Sequence, residues 1–229
     1  MKNRPVSHFG ADALLTARRV MFVGAHPDDI EFYCGATIRL MAQKRITVSY
    51  LVATKGDHNL PGFLGKLMKK VRSRDQYKAA QTLGISDVTI MDYPDGHLSD
   101  HIKDFAREIA SLAIIKRPDI VVSWDPNHIY NPHPDHQATG QAVRVANLRC
   151  KVACFGTTEP DLLVPVDNIM LKAKLKAIRC HTTEAPWFYY FIQRISILRR
   201  LRRAGAMAGL NMAECYRLNT QNDTDSKLK

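Results

Sequence analysis

The sequence lacks both a long apolar run and any grouping of its cysteines. No segment offers the roughly 18 consecutive apolar residues of a membrane-spanning helix, and the first residues lack the apolar stretch of a secretory signal. The five cysteines include no CxxC pair, which excludes a cysteine zinc knuckle and argues against a disulfide framework. We therefore expect a cytoplasmic protein with reduced thiols.

Acidic residues are few beside the basic ones. There are 22 Asp and Glu against 33 Lys and Arg, which gives a formal net charge of +11. This excess favours an anionic partner, and nucleic acid, an acidic lipid surface and a phosphorylated ligand all fit it. No nucleic-acid-binding motif accompanies the charge, so we expect no nucleic acid partner. A basic nucleic-acid-binding protein without catalysis is the more remote alternative.

Length and composition predict one domain. The 229 residues suffice for one sizeable core, and no internal repeat or low-complexity linker marks a boundary. We place the domain at residues 19–217, between an N-terminal extension (1–18) and a polar tail (218–229) that we expect to be disordered. The sequence leaves open whether the chain forms a homo-oligomer.

Short β-branched runs alternate with longer helical patterns, which predicts a parallel sheet with crossover helices. The predicted strands lie at 20–25, 46–54, 88–92 and 120–124, and the predicted helices lie near 34–44, 66–83, 100–116 and 135–148. A weaker pattern follows, with a strand near 162–166, a helix near 169–181 and a last helical region up to about 213.

His and Asp residues collect where the four predicted strands end. The segments are AHPDD (25–29), TKGDHN (54–59), DYPDGHL (92–98) and WDPNHIYNPHPDH (124–136). Ligands of open α/β sheets bind beyond the carboxyl ends of the strands, so a site is expected there. Zinc accepts imidazole and carboxylate ligands, which HPDD and HPDH both supply. A single His or Asp could merely cap a helix, but two such clusters in one sheet favour a metal site.

Two segments carry a resemblance to a known family. AHPDDIEFYCGAT (25–37) and HPDH (133–136) resemble the two signature motifs of the PIG-L/LmbE-like deacetylase superfamily. TKGD (54–57), YPDGHL (93–98) and KLKAIRCHTTE (174–184) follow in the family's usual order, and the resemblance extends over residues 20–217.

The resemblance implies a Rossmann-like α/β fold, with a mostly parallel sheet flanked by helices. It also implies a zinc-dependent hydrolase of linear amides that removes the acetyl group of an N-acetylglucosamine-type amino sugar. The implied zinc ligands are His26, Asp29 and His136. Fe2+ or another divalent ion also suits this donor set.

The resemblance implies catalytic roles as well. Asp28 would be the general base, His133 would stabilise the oxyanion or protonate the leaving amine, and Asp135 would orient His133. The sequence does not decide whether Asp28 or His133 protonates the amine. In related enzymes the counterparts of Arg72 and Asp95 help to hold the sugar, so these two are candidate substrate contacts.

Departures from the family pattern leave the substrate open. Glu184 stands where Gln is common. NHIYNP (127–132) stands directly before HPDH, where many relatives have Gly-rich or aromatic residues. The alternative substrate is another N-acyl glycoside or a small sugar conjugate.

Basic and apolar residues are concentrated in FLGKLMKKVRSR (63–74) and WFYYFIQRISILRRLRR (187–203). Such segments are typical of proteins that bind the surface of an anionic membrane, here the inner face, and would suit a lipid-linked or phosphate-bearing glycan substrate. An ordinary core or subunit interface with a solvated basic face also fits the pattern and is slightly favoured, and the sequence leaves both open.

Overall fold

The structure, a computed structural model, describes residues 11–219. Its strands are β1 (Arg19–Gly24), β2 (Thr47–Thr54), β3 (Asp87–Tyr93), β4 (Ile120–Trp124), β5 (Lys151–Phe155), β6 (Leu162–Pro165) and β7 (Ala213–Asn219). Its α-helices are α1 (Ala11–Leu15), α2 (Asp29–Gln43), α3 (Gly62–Leu83), α4 (Ile102–Lys116), α5 (Pro134–Val145), α6 (Asn168–Ile178) and α7 (Trp187–Ala206). A short 3-10 helix (Leu98–His101) precedes α4.

The strands form one seven-stranded sheet in the order β3-β2-β1-β4-β5-β7-β6. The first five strands in this order are parallel, and β7 pairs antiparallel with both β5 and β6. This confirms the predicted single α/β domain with a mostly parallel sheet. The strand order reverses between β1 and β4, which makes the carboxyl ends of these two strands the expected place for a ligand.

The sheet separates two cores because successive side chains of a strand point to opposite faces. Val20 and Phe22 of β1 face a core that includes apolar residues of α2, α3, α6 and α7. Met21 and Val23 face the other core, which includes residues of α4 and α5. Within residues 11–219, no helix is long and apolar enough to cross a membrane.

The four predicted strands and the first four predicted helices are confirmed, with shifted ends. The helix expected near 34–44 begins at Asp29, because the HPDD segment turns directly into α2. Strands β5 and β7 were not predicted. Their segments, KVACF and AECYRLN, have little local strand pattern, and they pair with strands distant in the chain.

The outer boundaries fall partly outside the described residues. The last predicted helical region ends at Ala206, and the segment that follows leads into β7. Residues 218 and 219, which were assigned to the polar tail, are the last two residues of β7. The rest of the predicted tail, 220–229, and residues 1–10 of the predicted extension lie outside the described residues.

Helix α5 lies close to the end of β4 because of Gly140. A Cβ atom at this position would come within 2.6 Å of the Trp124 carbonyl oxygen and 2.9 Å of the Pro126 nitrogen. Both are backbone atoms that cannot move independently. Since α5 carries the HPDH residues, this close packing sets their position relative to the sheet.

Replacing Gly140 with Ala is expected to lower the free energy of unfolding by about 1–3 kcal/mol, because the added methyl group overpacks α5 against β4. Val145→Ala, an exposed substitution on the same helix, should change it by less than about 0.5 kcal/mol. Urea denaturation followed by circular dichroism measures both. Equal stability of the two variants would show that the close approach is not a constraint.

Candidate metal and catalytic site

A cavity of about 500 Å³ opens at the carboxyl ends of the parallel strands. It is lined by His26, Asp28, Asp29, Phe32, Tyr33, His58, Asn59, Arg72, Asp95, Gly96, Asn131, His133, His136, Glu184, Gln193 and Arg200. The cavity therefore brings together residues from all four of the His- and Asp-rich segments. Every predicted site residue lines it except Asp135, which is buried beside it.

Asp29 is the first residue of α2 and its side chain is buried. One carboxylate oxygen, Oδ2, accepts hydrogen bonds from the backbone N–H groups of Ala25 (2.8 Å) and His26 (2.9 Å). The same oxygen accepts one from Trp124 Nε1 (3.1 Å). The other oxygen, Oδ1, lies 3.2 Å from His136 Nε2. The carboxylate thus fixes the β1 loop relative to β4 and α5.

Asp28 has a strained backbone, with φ 121° and ψ −32°. Such a conformation costs of order 1–3 kcal/mol outside glycine and persists only where neighbouring groups hold it. Its N–H donates to Gln76 Oε1 (3.0 Å), and Arg72 Nη2 donates to the carbonyl of Pro27 (2.9 Å). Two residues of α3 therefore hold the turn and direct the Asp28 carboxylate into the cavity.

A buried polar network extends behind this turn. Gln76 Nε2 donates to Glu31 Oε1 (2.9 Å), and Glu31 Oε2 lies 3.3 Å from His181 Nε2. All three side chains are buried. Because buried polar groups are costly without partners, this network fixes α3, α2 and the segment after α6 relative to one another.

The HPDH segment begins α5. His133 is the N-cap, and its Nδ1 accepts a hydrogen bond from the backbone N–H of Asp135 (3.2 Å). The ring of His136 stacks on Trp124 with centroids 3.8 Å apart, which fixes its plane. His133 and His136 thus have defined orientations set by helix capping and by stacking.

The Asp135 carboxylate points toward the β3 loop and the β1 loop. It accepts hydrogen bonds from the N–H groups of Gly96 (2.7 Å) and Leu98 (3.0 Å), and Oδ2 lies 3.1 Å from His26 Nε2. Its contact with His133 is made through its backbone N–H. Asp135 therefore orients His26 through its carboxylate and His133 through the helix N-terminus.

Carboxylates dominate the electrostatics around His26. Burial lowers the pKa of His26, but its hydrogen bonds with Asp135 and Asp95 outweigh burial and raise the pKa to about 10. Burial raises the pKa of the Asp29 carboxyl, but His136 and His26 outweigh burial and lower it well below its usual range. The arrangement holds more negative than positive charge near His26, which favours a bound cation.

Two other cavity residues have shifted pKa values. Burial raises the pKa of Asp28 to about 7, against the opposing effect of the Arg72 guanidinium. Burial, with the charges of His26 and His136, lowers the pKa of His133. At neutral pH the ring of His133 is therefore uncharged, and because Nδ1 accepts a hydrogen bond, its proton is on Nε2.

The donor groups fit a divalent metal ion. Within residues 11–219, nitrogen atoms of His26, His133 and His136 lie within 4.8 Å of one another, and so do donor atoms of His26, Asp95 and Asp135. Asp29 Oδ1, which lies 3.2 Å from His136 Nε2, adds a further oxygen. Imidazole and carboxylate ligands suit Zn2+ and Fe2+, so the site could hold either ion.

Arg72 and Asp95, the predicted substrate contacts, are buried in the cavity wall and already have protein partners. Arg72 Nη1 lies 3.1 Å from Glu184 Oε1, and Nη2 lies 3.6 Å from Asp28 Oδ2. Asp95 accepts the N–H of His58 (2.8 Å) and lies 3.0 Å from His26 Nε2.

Sequence reasoning missed several cavity residues. His58, Gln193 and Arg200 had no assigned role, and Glu184 was noted only as a departure from the family pattern. Glu184 pairs with both Arg72 and His58, 3.1 and 2.9 Å away. The departure at Glu184 was the available signal. Gln193 and Arg200 reach the cavity only because α7 packs beside it, which no local pattern indicates.

Comparison with known proteins identifies the family. The family model described as PIG-L, GlcNAc-PI de-N-acetylase, matches residues 21–147, more than half of the chain. The chain belongs to the PIG-L family. This membership confirms the predicted family and the prediction that the chain is an enzyme of the deacetylase class, since its relatives are named deacetylases.

Individual PIG-L relatives cover most of the chain. A diacetylchitobiose deacetylase of Thermococcus kodakarensis is 27% identical over 74% of this chain and 71% of its own. A probable N-acetyl-alpha-D-glucosaminyl L-malate deacetylase 2 of Bacillus cereus is 30% identical over 73% of this chain and 84% of its own. The solved N,N'-diacetylchitobiose deacetylase of Pyrococcus horikoshii superposes with a TM-score of 0.81 at 22% identity, over 94% and 89% of the two chains.

Metal content tests the donor set. We expect the purified chain to bind about one divalent ion, and His26→Ala and His136→Ala to lower its affinity at least tenfold, because each removes a predicted ligand. His97→Ala, an exposed histidine outside the cavity, should retain the ion. Elemental analysis after dialysis measures the content, and circular dichroism checks the fold. Full metal occupancy in His26→Ala would exclude this site.

Proposed function

We propose that this chain is a metal-dependent N-deacetylase that hydrolyses the acetamide of an N-acetylglucosamine-type amino sugar, with residues 19–217 as the catalytic domain. The observation that carries the proposal is the Asp28 carboxylate, held on a strained backbone beside the His26, Asp29 and His136 cluster, inside a cavity large enough for a sugar. The names of the relatives, which include deacetylases of diacetylchitobiose and of an N-acetylglucosaminyl malate, support the substrate class.

His26, Asp29 and His136 would hold the metal ion, with Zn2+ as the first candidate and Fe2+ as the second. When bound, such an ion supplies Lewis-acid chemistry, which polarises a carbonyl and makes water more acidic. Asp135 keeps His26 oriented through its 3.1 Å contact with Nε2. The stacking of His136 on Trp124 does the same for the second imidazole.

Asp28 acts as the general base. A carboxyl whose pKa lies near the working pH accepts a proton from water and can release it again, and burial gives Asp28 a pKa of about 7. We propose that its Oδ atoms take the proton of the attacking water and pass it to the amine nitrogen as the C–N bond breaks. The fixed turn at Asp28 keeps the carboxylate in place through both transfers.

His133 stabilises the charge that develops on the carbonyl oxygen. Its ring is uncharged and its proton is on Nε2, so it can donate a hydrogen bond to that oxygen as the tetrahedral intermediate forms. The backbone N–H of Asp135 maintains this tautomer by occupying Nδ1. Loss of one such donor typically lowers kcat by about 100- to 1,000-fold.

Arg72 and Asp95 would contact the sugar hydroxyls from the cavity wall. We propose that the substrate also bears a phosphate or other anionic group, because the cationic side chain of Arg200 lines the cavity. Its guanidinium lies 4.2 Å over the ring of Tyr33 and donates to the carbonyl of Phe32, which holds it in place. A lipid-linked glycan joined through phosphate would satisfy this contact.

Asp28→Asn should reduce acetate release by roughly a hundredfold to ten-thousandfold, because the amide cannot accept the proton of the attacking water. Acetate is measured with N-acetylglucosaminyl substrates at matched metal loading. The control is Asp104→Asn on α4, which should retain full activity because Asp104 is exposed and lies outside the cavity. Equal activity of the two variants would exclude Asp28 as the base.

Arg200→Gln should raise KM about tenfold for a phosphate-bearing N-acetylglucosaminyl substrate, because a charge-assisted hydrogen bond is lost. KM for neutral diacetylchitobiose should change little. The control is Arg149→Gln, an exposed arginine outside the cavity, which should leave both KM values unchanged. An equal change for both substrates would contradict a phosphate contact at Arg200.

A further inference from the structure

Two helices beside the cavity expose large apolar side chains. On α3, Phe63 is 77% exposed and Leu67 is 45% exposed. On α7, Phe191 is 63% exposed and Ile192 is 59% exposed. Monomeric soluble proteins rarely expose large contiguous apolar patches, and such patches mark sites of protein or membrane contact.

Basic residues continue each apolar stripe along the same helix face. On α3, exposed Lys70 and Arg74 follow Phe63 and Leu67 at the spacing i, i+4, i+7, i+11. Helix α3 is therefore apolar at its N-terminal end and basic further along the same face, where Arg74 also pairs with Asp75.

Helix α7 repeats this arrangement. Exposed Arg199, Arg202 and Arg203 follow Ile192 and Ile195 on one face of the helix. We call the exposed stripes of α3 (63–74) and α7 (192–203), together with Phe191 at the edge of the second, the basic-apolar surface.

The apolar ends of the basic-apolar surface adjoin the cavity. His58 and Glu184, which precede α3 and α7 in the chain, both line the cavity and lie 2.9 Å apart. Gln193, next to Ile192 in the chain, also lines it. The N-terminal ends of both helices therefore lie near the cavity.

We propose that the basic-apolar surface docks the protein on an anionic lipid bilayer and so presents the cavity to a lipid-linked substrate. The apolar residues insert among the lipid chains while the basic residues contact the anionic head groups. A second copy of the chain is disfavoured, because two such cationic faces would repel each other. Nucleic acid offers no apolar phase for the exposed Leu67, Ile192 and Ile195 side chains.

The proposed use of this surface rests on the proposed function, but binding to the bilayer can be measured without turnover. The test is sedimentation of the full-length protein with vesicles of phosphatidylcholine alone, or of equal parts phosphatidylcholine and phosphatidylserine. We expect binding to the anionic vesicles only, and we expect high salt to weaken it.

Paired substitutions locate the surface. Phe191→Ser with Ile192→Ser should weaken vesicle binding about tenfold. Ile114→Ser with Ile115→Ser should leave it unchanged, because these isoleucines are even more exposed but lie on α4, on the opposite side of the sheet.

The charge is tested in the same way. Arg202→Gln with Arg203→Gln should also weaken binding about tenfold. Arg144→Gln with Arg149→Gln, which removes two exposed arginines elsewhere, should weaken it much less.

Each outcome bears on the proposal. Absence of binding to anionic vesicles would overturn it, as would equal effects of the α7 pairs and their control pairs. A dimer in sedimentation velocity that the Phe191 and Ile192 substitutions dissociate, without vesicle binding, would assign the surface to a second copy. Acetate release from a water-soluble substrate, measured in parallel, separates failure of docking from failure of the proposed function.

Discussion

The Asp29 carboxylate joins three parts of the chain at one buried point. Its Oδ2 accepts two backbone N–H groups of the loop after β1 and the indole N–H of Trp124 at the end of β4. Its Oδ1 contacts His136 on α5. The Asp29 carboxylate thus holds together the HPDD and HPDH segments, which are about a hundred residues apart in sequence. The positions of His26 and His136 relative to each other therefore depend on it.

The surrounding structure supports a turn that is unfavourable by itself. The backbone of Asp28 is strained, and several carboxylates lie close to His26 in a buried setting. Gln76 and Arg72 of α3 hold the turn, and the polar network through Glu31 and His181 supports Gln76 in turn. A bound cation would balance the remaining negative charge. The strain and charge at this site are consistent with a functional role.

The sequence predicted the parts of this arrangement that depend on local pattern. Strands with β-branched runs and polar segments at their ends placed His26, Asp28 and Asp29 beside His133 and His136, because the ends of parallel strands gather at one edge. Other parts depend on packing between distant segments. Strand β7 gains its stability from pairing with β5 and β6, and Arg200 reaches the cavity through the docking of α7. The hydrogen bonds of the Asp135 carboxylate could not be predicted either, because its partners lie in the β1 and β3 loops.

The identity of the metal ligands is the central claim, and anomalous X-ray diffraction from crystals grown with zinc tests it most directly. We predict one anomalous peak, bound by His26, Asp29 and His136, with Asp28 beside it but not bound to it. A peak held by His26, His133 and His136, or by His26, Asp95 and Asp135, would contradict this ligand set, since the donor atoms of these alternatives also lie close together. Absence of any peak in the cavity would contradict the metal-dependent mechanism.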